Sequence, residues 1–381
     1  MDTSFFLLFA VLGTCAVSAI IFLGASIYWA CIAKTRGFSV HGNSEPLRDI
    51  RIISIDNNYI TFIPSSASET NSKLPTISLV GNYGHVVTNH FIKQKDEEIT
   101  RGIKCQIGEL KPGEKVGIDL FVYQGDPYES FSLKYKQITY ESELGKIKAW
   151  HIPTRSKNWV ICVHGHRSDL RESFRLTPTF VSLNLNVLFI NYRNDEEQPV
   201  DPQKIHTFGI REWLDLEGAV KHIQSLDTEE ISILGHSMGG GIVIKYLLES
   251  ENCSKIKNII LESPTLDLNQ IIANQAKNLK FMPGFLLISS KFFLAFMLKI
   301  RWDDFRFLER SSELAHPILL IHSEEDNTVP ITASDQLFKL RPDIVTYIRL
   351  KKGSHAAAWN QNQEALEKKI RTFMNGAPSD N

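Results

Sequence analysis

A serine hydroxyl becomes a useful nucleophile only when a base takes its proton and a carboxylate holds that base in place. The sequence offers such a set at three separate points. Ser237 stands in Gly235-His236-Ser237-Met238-Gly239-Gly240-Gly241, between the apolar run at 231–234 and the helix-like IVIKYLLES. This is G-x-S-x-G in strand, turn, helix context, where glycines let the chain reverse tightly enough to hold the hydroxyl at a sheet edge. Taken alone, the motif has a plainer reading as a glycine-rich turn whose serine caps a helix. Asp326 follows the run 318–322 in LLIHSEEDNTVP, and His355 follows the run ending at 350 in KKGSHAAAW. Serine, acid and histidine therefore occur in the chain order that such a serine requires. Glu324 and Glu325 neighbour the acid, and Glu262, at the end of another apolar run, is the second candidate for its role.

Attack on a carbonyl creates an oxyanion that needs two backbone N–H donors, one after the nucleophile and one from a loop after an early strand. Met238 supplies the first by position, and His166 in VHGHRSD the second, with Gly165 permitting the turn. The rings of His164 and His166 are left for structural work, since an H-x-H metal pair has no evident third ligand. No metal and no cofactor is expected.

The elements that must carry these residues can be read from periodicity. Apolar runs at 159–164, 187–191, 231–234, 258–262, 318–322 and 345–350 alternate with helical stretches, the clearest placing Trp213, Leu216, Val220 and Ile223 on one face. That alternation builds a doubly wound, mostly parallel sheet, with functional groups at the carboxyl ends of its strands. Earlier in the chain the texture differs. Short alternating runs at 51–55, 59–63, 76–80 and 118–123 lie between Asn, Gly, Pro and Ser clusters, as in a small β-rich domain without a catalytic motif.

Residues 5–33 carry no charge and exceed the roughly 20 residues that span a bilayer. Tyr28 and Trp29 mark an interface, and the opening MDTSFF lacks the basic residues of a cleaved signal peptide. Lys34, Arg36, Arg48 and Arg51 follow the span while only Asp2 precedes it, so the bulk of the chain is expected in the cytoplasm. With 42 basic against 43 acidic residues, the chain has no electrostatic footprint for nucleic acid. Its five cysteines show no CxxC spacing, which argues against a disulfide framework or a zinc site.

WVICVHGH, NYRND, EWLDLEGAV, GHSMGGG, ILESP, IHSEED and HAAAWN together resemble the serine α/β-hydrolases, in particular membrane-anchored bacterial members related to the S9 and S33 peptidase and esterase group. The resemblance covers about 150–374. It implies an α/β-hydrolase fold, a triad of Ser237, Asp326 and His355, and an oxyanion hole at His166 and Met238. IHSEED departs from the commoner glycine-containing form of its loop, and the stretch 40–150 looks like the domain that precedes the catalytic one in those relatives. The expected organisation is a transmembrane anchor at 1–36, a β-rich domain at 37–150 and a catalytic domain at 151–376 with a lid at 265–312.

Within the lid, 281–300 is apolar apart from Ser289, Ser290, Lys291 and Lys299, so it is expected either to cap the cleft or to dip into the membrane. Either placement would line the site with Phe285, Phe292, Phe293 and Phe296 and favour acyl chains. The expected activity is cleavage of a carboxylic ester or related acyl substrate, small and lipophilic, through an acyl-enzyme. A serine peptidase and an inactive membrane-tethered binding module are the alternatives.

Overall fold

The computed structural model describes residues 3–40, 46–277, 279 and 282–376. Helix α1 (Thr3–Ala33) is unbroken, and its 31 residues at 1.5 Å each reach about 46 Å, beyond the ~30 Å of a bilayer's hydrocarbon. Phe9–Phe38 is long and apolar enough to cross a membrane. Leu12, Val17, Ile20 and Ile21 stand exposed, whereas Ser26 and Ala30 near the helix's end are buried. A π-helical turn, Lys34–Phe38, continues from it, and His206 N donates to Phe38 O at 2.8 Å. Helix α1 thus ends directly on the larger domain.

β1 (Ile50–Ile55), β2 (Tyr59–Ile63), β3 (Ile77–Val80), β4 (Gly84–Lys95), β5 (Glu98–Gly108) and β6 (Lys115–Asp119), with the short α2 (Glu69–Ser72), form the β-rich unit. The strands close an antiparallel barrel in the order β1-β2-β5-β4-β3-β6. Alternation along them turns Ile50, Ile52, Ile60, Phe62, Ile77 and Leu79 inward.

The short helix α3 (Pro127–Phe131), closed by an Asp126–Glu129 capping box, leads into β7 (Lys136–Ser142) and β8 (Gly145–Ile152). The alternating unit follows: β9 (Trp159–Val163), α4 (Thr177–Ser182), β10 (Asn186–Ile190), α5 (Trp213–Gln224), β11 (Ile231–His236), α6 (Met238–Glu249), β12 (Ile256–Glu262), α7 (Leu268–Lys277), α8 (Gly284–Leu298), β13 (Ile318–Ser323), α9 (Thr332–Leu340), β14 (Val345–Leu350), α10 (Ala358–Gln361) and α11 (Gln363–Met374). Eight strands make one sheet in the order β14-β13-β12-β11-β9-β10-β8-β7. β8 runs antiparallel to β10 and to β7, and the remaining pairs are parallel. The sheet therefore starts at Lys136, ahead of the change of texture near Trp150. The reason is that β7 and β8 form an antiparallel hairpin and alternate in burial as barrel strands do.

The core lies on both faces of this sheet. Ile161 and Val163 pack with Leu216, Val220 and Val243 on one face, while Val160 and Cys162 pack with Phe174, Phe180 and Phe189 on the other. Burial on both faces is why β9 and β10 read as continuous apolar runs.

The insertion between β12 and β13 corrects the expected aromatic wall. α8 buries the ridge Leu286, Ser290, Leu294 and Leu298 at four-residue spacing, which turns Phe285, Phe292 and Phe296 to the opposite side. They are 64%, 68% and 79% exposed and wall no cleft. Phe293, on the flank, packs with Leu294 and Leu298 in a cluster that also holds Ala30 and Phe38. α8 lies beside the end of α1, with Ser26 Oγ 2.7 Å from Ser289 Oγ and the Phe22 and Phe285 rings 5.7 Å apart.

Candidate active site

Ser237 occupies the turn from β11 into α6 with φ 50° and ψ −115°, a conformation that costs an L-residue about 1–3 kcal/mol. Two backbone bonds of 2.9 Å hold it there, Ser237 N to Glu262 O and Thr265 N to Ser237 O. The reversal leaves no room at Gly239, where a Cβ would lie 2.3 Å from Val163 O and 2.6 Å from His164 O. Gly239→Ala is expected to destabilise the chain by on the order of 1–3 kcal/mol, read as a lower denaturant midpoint. An unchanged midpoint would mean that α6 is not pressed against the end of β9.

His355 Nε2 lies 2.9 Å from Ser237 Oγ, and His355 Nδ1 lies 2.7 Å from Asp326 Oδ2. The serine and imidazole are partly open to solvent while the carboxylate is buried. Asp326 Oδ1 accepts from Thr328 N and Val329 N, both at 2.9 Å. Its Oδ2 also lies 3.2 Å from His322 Nε2, whose ring is fixed by a 2.7 Å bond between Nδ1 and Ser334 Oγ. Burial alone would raise the Asp326 carboxyl, but the hydrogen bonds from His322 and His355 and the His355 charge hold it well below the usual carboxylate range. It is therefore ionised throughout the neutral range.

For His355 the balance runs the other way. Burial would lower its pKa, but the hydrogen bond to Asp326 and the charges of Asp326, Glu172 and Glu262 raise it above 6.5. A general base works neutral, so raising its pKa keeps the inactive imidazolium to higher pH. The acid limb of kcat/KM is expected above pH 6.5, with activity falling as pH drops through it. A limb at or below 6.5 would assign it to another group.

Glu262, the second candidate for the acid, points elsewhere. Its Oε1 accepts from Ala358 N at 2.8 Å, and its Oε2 lies 2.9 Å from His236 Nδ1 and 3.9 Å from Arg175 Nη2. Burial would raise this carboxyl, yet His236, the Arg175 charge and the Ala358 N–H bring it down to about 2. Glu324 pairs with Arg349 at the surface.

The loop after β9 passes close over the nucleophile, since a Cβ on Gly165 would fall 3.0 Å from Ser237 Cβ. Gly165 N donates to Glu172 Oε2 at 2.6 Å, which orients the turn. Met238 opens α6, where first-turn N–H groups have no helical acceptor. Among the described residues, neither Met238 N nor His166 N is bonded to an acceptor of the chain, so both stand open to an acceptor from outside it. The His166 ring packs 5.0 Å from His206 and 5.2 Å from Phe208 and is pushed down to about 3 by burial and by the charges of His206 and Arg167. It stays neutral. His164 is buried 3.0 Å from Asp195 Oδ2; burial would lower it, but Asp195 raises it to about 9, and it braces the loop.

Several positioning residues escaped the sequence reading. His322 was in view four residues before Asp326, yet nothing in IHSEED says where its ring turns. Arg175 and Asn360 had no local signal at all. Arg175 donates to Asn360 Oδ1 and, at 3.0 Å, to Ala356 O beside the histidine. Asn360 Nδ2 donates to Thr76 O and Leu120 O at 3.0 Å, Thr76 N donates back to Asn360 O at 3.1 Å, and Ala357 sits in the barrel core. The barrel thus grips the loop that carries His355.

A cavity of about 630 Å³ adjoins the oxyanion loop and is lined by Trp150, Arg167, Asp169, Arg171, Glu196 and His206 among others. Its polar wall contrasts with the aromatic one expected from the lid.

Comparison with known proteins agrees with this architecture. The model of the serine aminopeptidase S33 family matches residues 154–304. The uncharacterized protein YqkD of Bacillus subtilis is 26% identical over 257 residues, covering 65% of this chain and 82% of that protein. The uncharacterized protein YfhR of Salmonella typhimurium is 25% identical over 284 residues, covering 68% and 90% respectively. The solved esterase Pf2001 of Pyrococcus furiosus superposes with a TM-score of 0.54 at 21% identity, over 67% of this chain and 95% of that one, a likeness of fold.

Proposed function

We propose that this chain, which has the α/β-hydrolase fold and belongs with the hydrolases built on it, is a serine hydrolase tethered to a membrane by α1 and cleaving a carboxylic ester or related acyl substrate. The observation that carries the reading is the unbroken line from Ser237 Oγ through both nitrogens of His355 to Asp326, at 2.9 and 2.7 Å. Along it, Ser237 Oγ attacks the substrate carbonyl as His355 Nε2 takes its proton, and Asp326 stabilises the imidazolium. The oxyanion is met by the N–H groups of Met238 and His166. Collapse breaks the acyl C–O bond, and His355 returns the proton to the departing alkoxide. Water then attacks the acyl-enzyme, its proton passing to His355 and on to Ser237, which is released with a free acid.

A peptidase is the second reading, favoured by the match to a serine aminopeptidase family and by Glu196. That carboxylate lines the cavity without an ion-pair partner among the described residues, and is suited to a substrate ammonium. The reading is tested on the purified full-length chain with a fluorophosphonate probe and with matched ester, thioester and aminoacyl-amide substrates. Labelling with fastest turnover of esters is expected; faster amides would transfer the assignment to a peptidase. A folded chain that takes no probe would be a binding module. The cytoplasmic orientation rests on Lys34 and Arg36 after the span and predicts that a cysteine near the C-terminus resists an impermeant thiol reagent in intact cells.

A further inference from the structure

A helix on the surface of a water-soluble domain turns its polar side chains outward. α8 does the reverse. Ser289 meets the Ser26 hydroxyl of α1, and Ser290 is buried. Lys291 Nζ donates to Asn269 Oδ1 at 2.6 Å and lies 4.5 Å over the Trp302 ring. With these turned toward protein, the outer face presents Phe285, Ile288, Phe292 and Phe296, all more than 60% exposed and without a polar residue among them. Four large apolar groups on one face form a contiguous patch of the kind that marks an interaction surface.

The occupant follows from what adjoins the patch. Phe22 meets Phe285 and Ser26 meets Ser289, so residue pairs keep a constant offset and the two helices run parallel. Phe285 then lies level with Phe22, six residues before Tyr28, or about 9 Å deeper along α1 at 1.5 Å per residue. That matches the roughly 5–10 Å to which interfacial apolar faces sink below the headgroups. The exposed face of α8 is continuous with the exposed surface of α1, and this inference rests on the reading that α1 sits in a bilayer.

We infer that the first half of α8 is a second membrane-contacting element, with Phe285 and Ile288 immersed in lipid beside α1, Phe292 level with Trp29 at the interface and Phe296 level with Ala33 beyond it. The buried side of α8 joins Leu294 and Leu298 to Phe38 and Ile205, Phe38 meets Phe208 edge-on with ring centroids 5.4 Å apart, and the Phe208 and His166 rings lie 5.2 Å apart. A chain of packed residues thus links the loop after β9 to α8.

The test uses the full-length chain in phosphatidylcholine and phosphatidylglycerol vesicles, with the exposed Cys15, Cys31 and Cys105 changed to Ser. Single spin labels are placed by Ile288→Cys or Phe292→Cys on α8, Ile20→Cys on α1 and, as an aqueous reference, Tyr128→Cys. The label at 288 should collide with dissolved oxygen at least several-fold more, and with an aqueous nickel chelate several-fold less, than the label at 128, and the label at 292 should fall between the two. Nickel accessibility at 288 and 292 equal to that at 128, with the label at 20 still in lipid, would overturn the α8 assignment alone. A label at 20 that is itself open to nickel would overturn the anchor and, with it, this inference. Protection at 292 accompanied by strong spin–spin coupling between chains would place a second copy, not lipid, on the face and overturn it equally.

Discussion

Ser237→Ala is expected to leave a folded chain whose turnover has fallen by on the order of a millionfold and which forms no fluorophosphonate adduct. The size of the effect follows from what remains. His355 keeps its bond to Asp326, and the Met238 and His166 N–H groups keep their places, but no oxygen is left for the base to activate. Binding and oxyanion stabilisation survive, so the residual rate should still exceed that in water. The fold should tolerate the change. Alanine takes the same backbone conformation, and the loss is one part-exposed hydrogen bond, worth about 1 kcal/mol or less. Circular dichroism and a denaturant midpoint near those of the parent chain would attribute the lost turnover to chemistry. Turnover near that of the parent would sink the assignment of Ser237.

Asp326→Asn is expected to reduce turnover roughly ten-thousandfold. An amide in place of Oδ2 can present an N–H to His355 Nδ1, which selects the tautomer whose Nε2 carries the proton and cannot accept one from Ser237. The fixed charge that raises the histidine's pKa disappears as well, so the acid limb should move down toward or below 6.5. Rate loss and limb shift together separate a change of tautomer from a general loosening, which would reduce the rate without moving the limb in that direction. Glu262→Gln serves as the control. It should keep turnover within about tenfold while lowering stability, because it weakens a buried cluster around Arg175 and His236. A loss as large as that in Asp326→Asn would give Glu262 the role in its place.

The turn that carries Ser237 was legible because its signal is local: glycines, serine and flanking apolar runs lie within a dozen residues, and the turn they dictate depends on little else. The placement of Asp326 and His355 after strands was legible because a parallel sheet buried on both faces writes its strands as apolar runs, and the positions at its carboxyl edge follow directly after them. The barrel's closure was not. β4 and β5, its longest strands, carry Lys, Glu and Gln along exposed faces and a buried Arg101 inside, and their pairing with each other depends on register. The sheet's true start was hidden for a related reason, since an antiparallel edge hairpin has the same alternation as the barrel before it. The aromatic lining expected from α8 failed, and its two expected placements could not be separated, because its sequence specifies which side is buried but not against what. Ser26, some 260 residues away, decides that. The grip of Arg175 and Asn360 on the histidine loop is equally non-local.

That grip bears on how the protein can change over evolutionary time. Asn360 satisfies two carbonyls of the barrel segment with its side chain and one N–H with its backbone, and Ala357 fills part of the barrel's interior. A barrel exchanged by recombination for one of different radius or register would leave those groups unmatched next to His355. Exchanging either unit alone is therefore expected to loosen the loop around His355, and substitutions around Thr76 and Leu120 are expected to be coupled to those at 356–360, however far apart the positions lie in the gene.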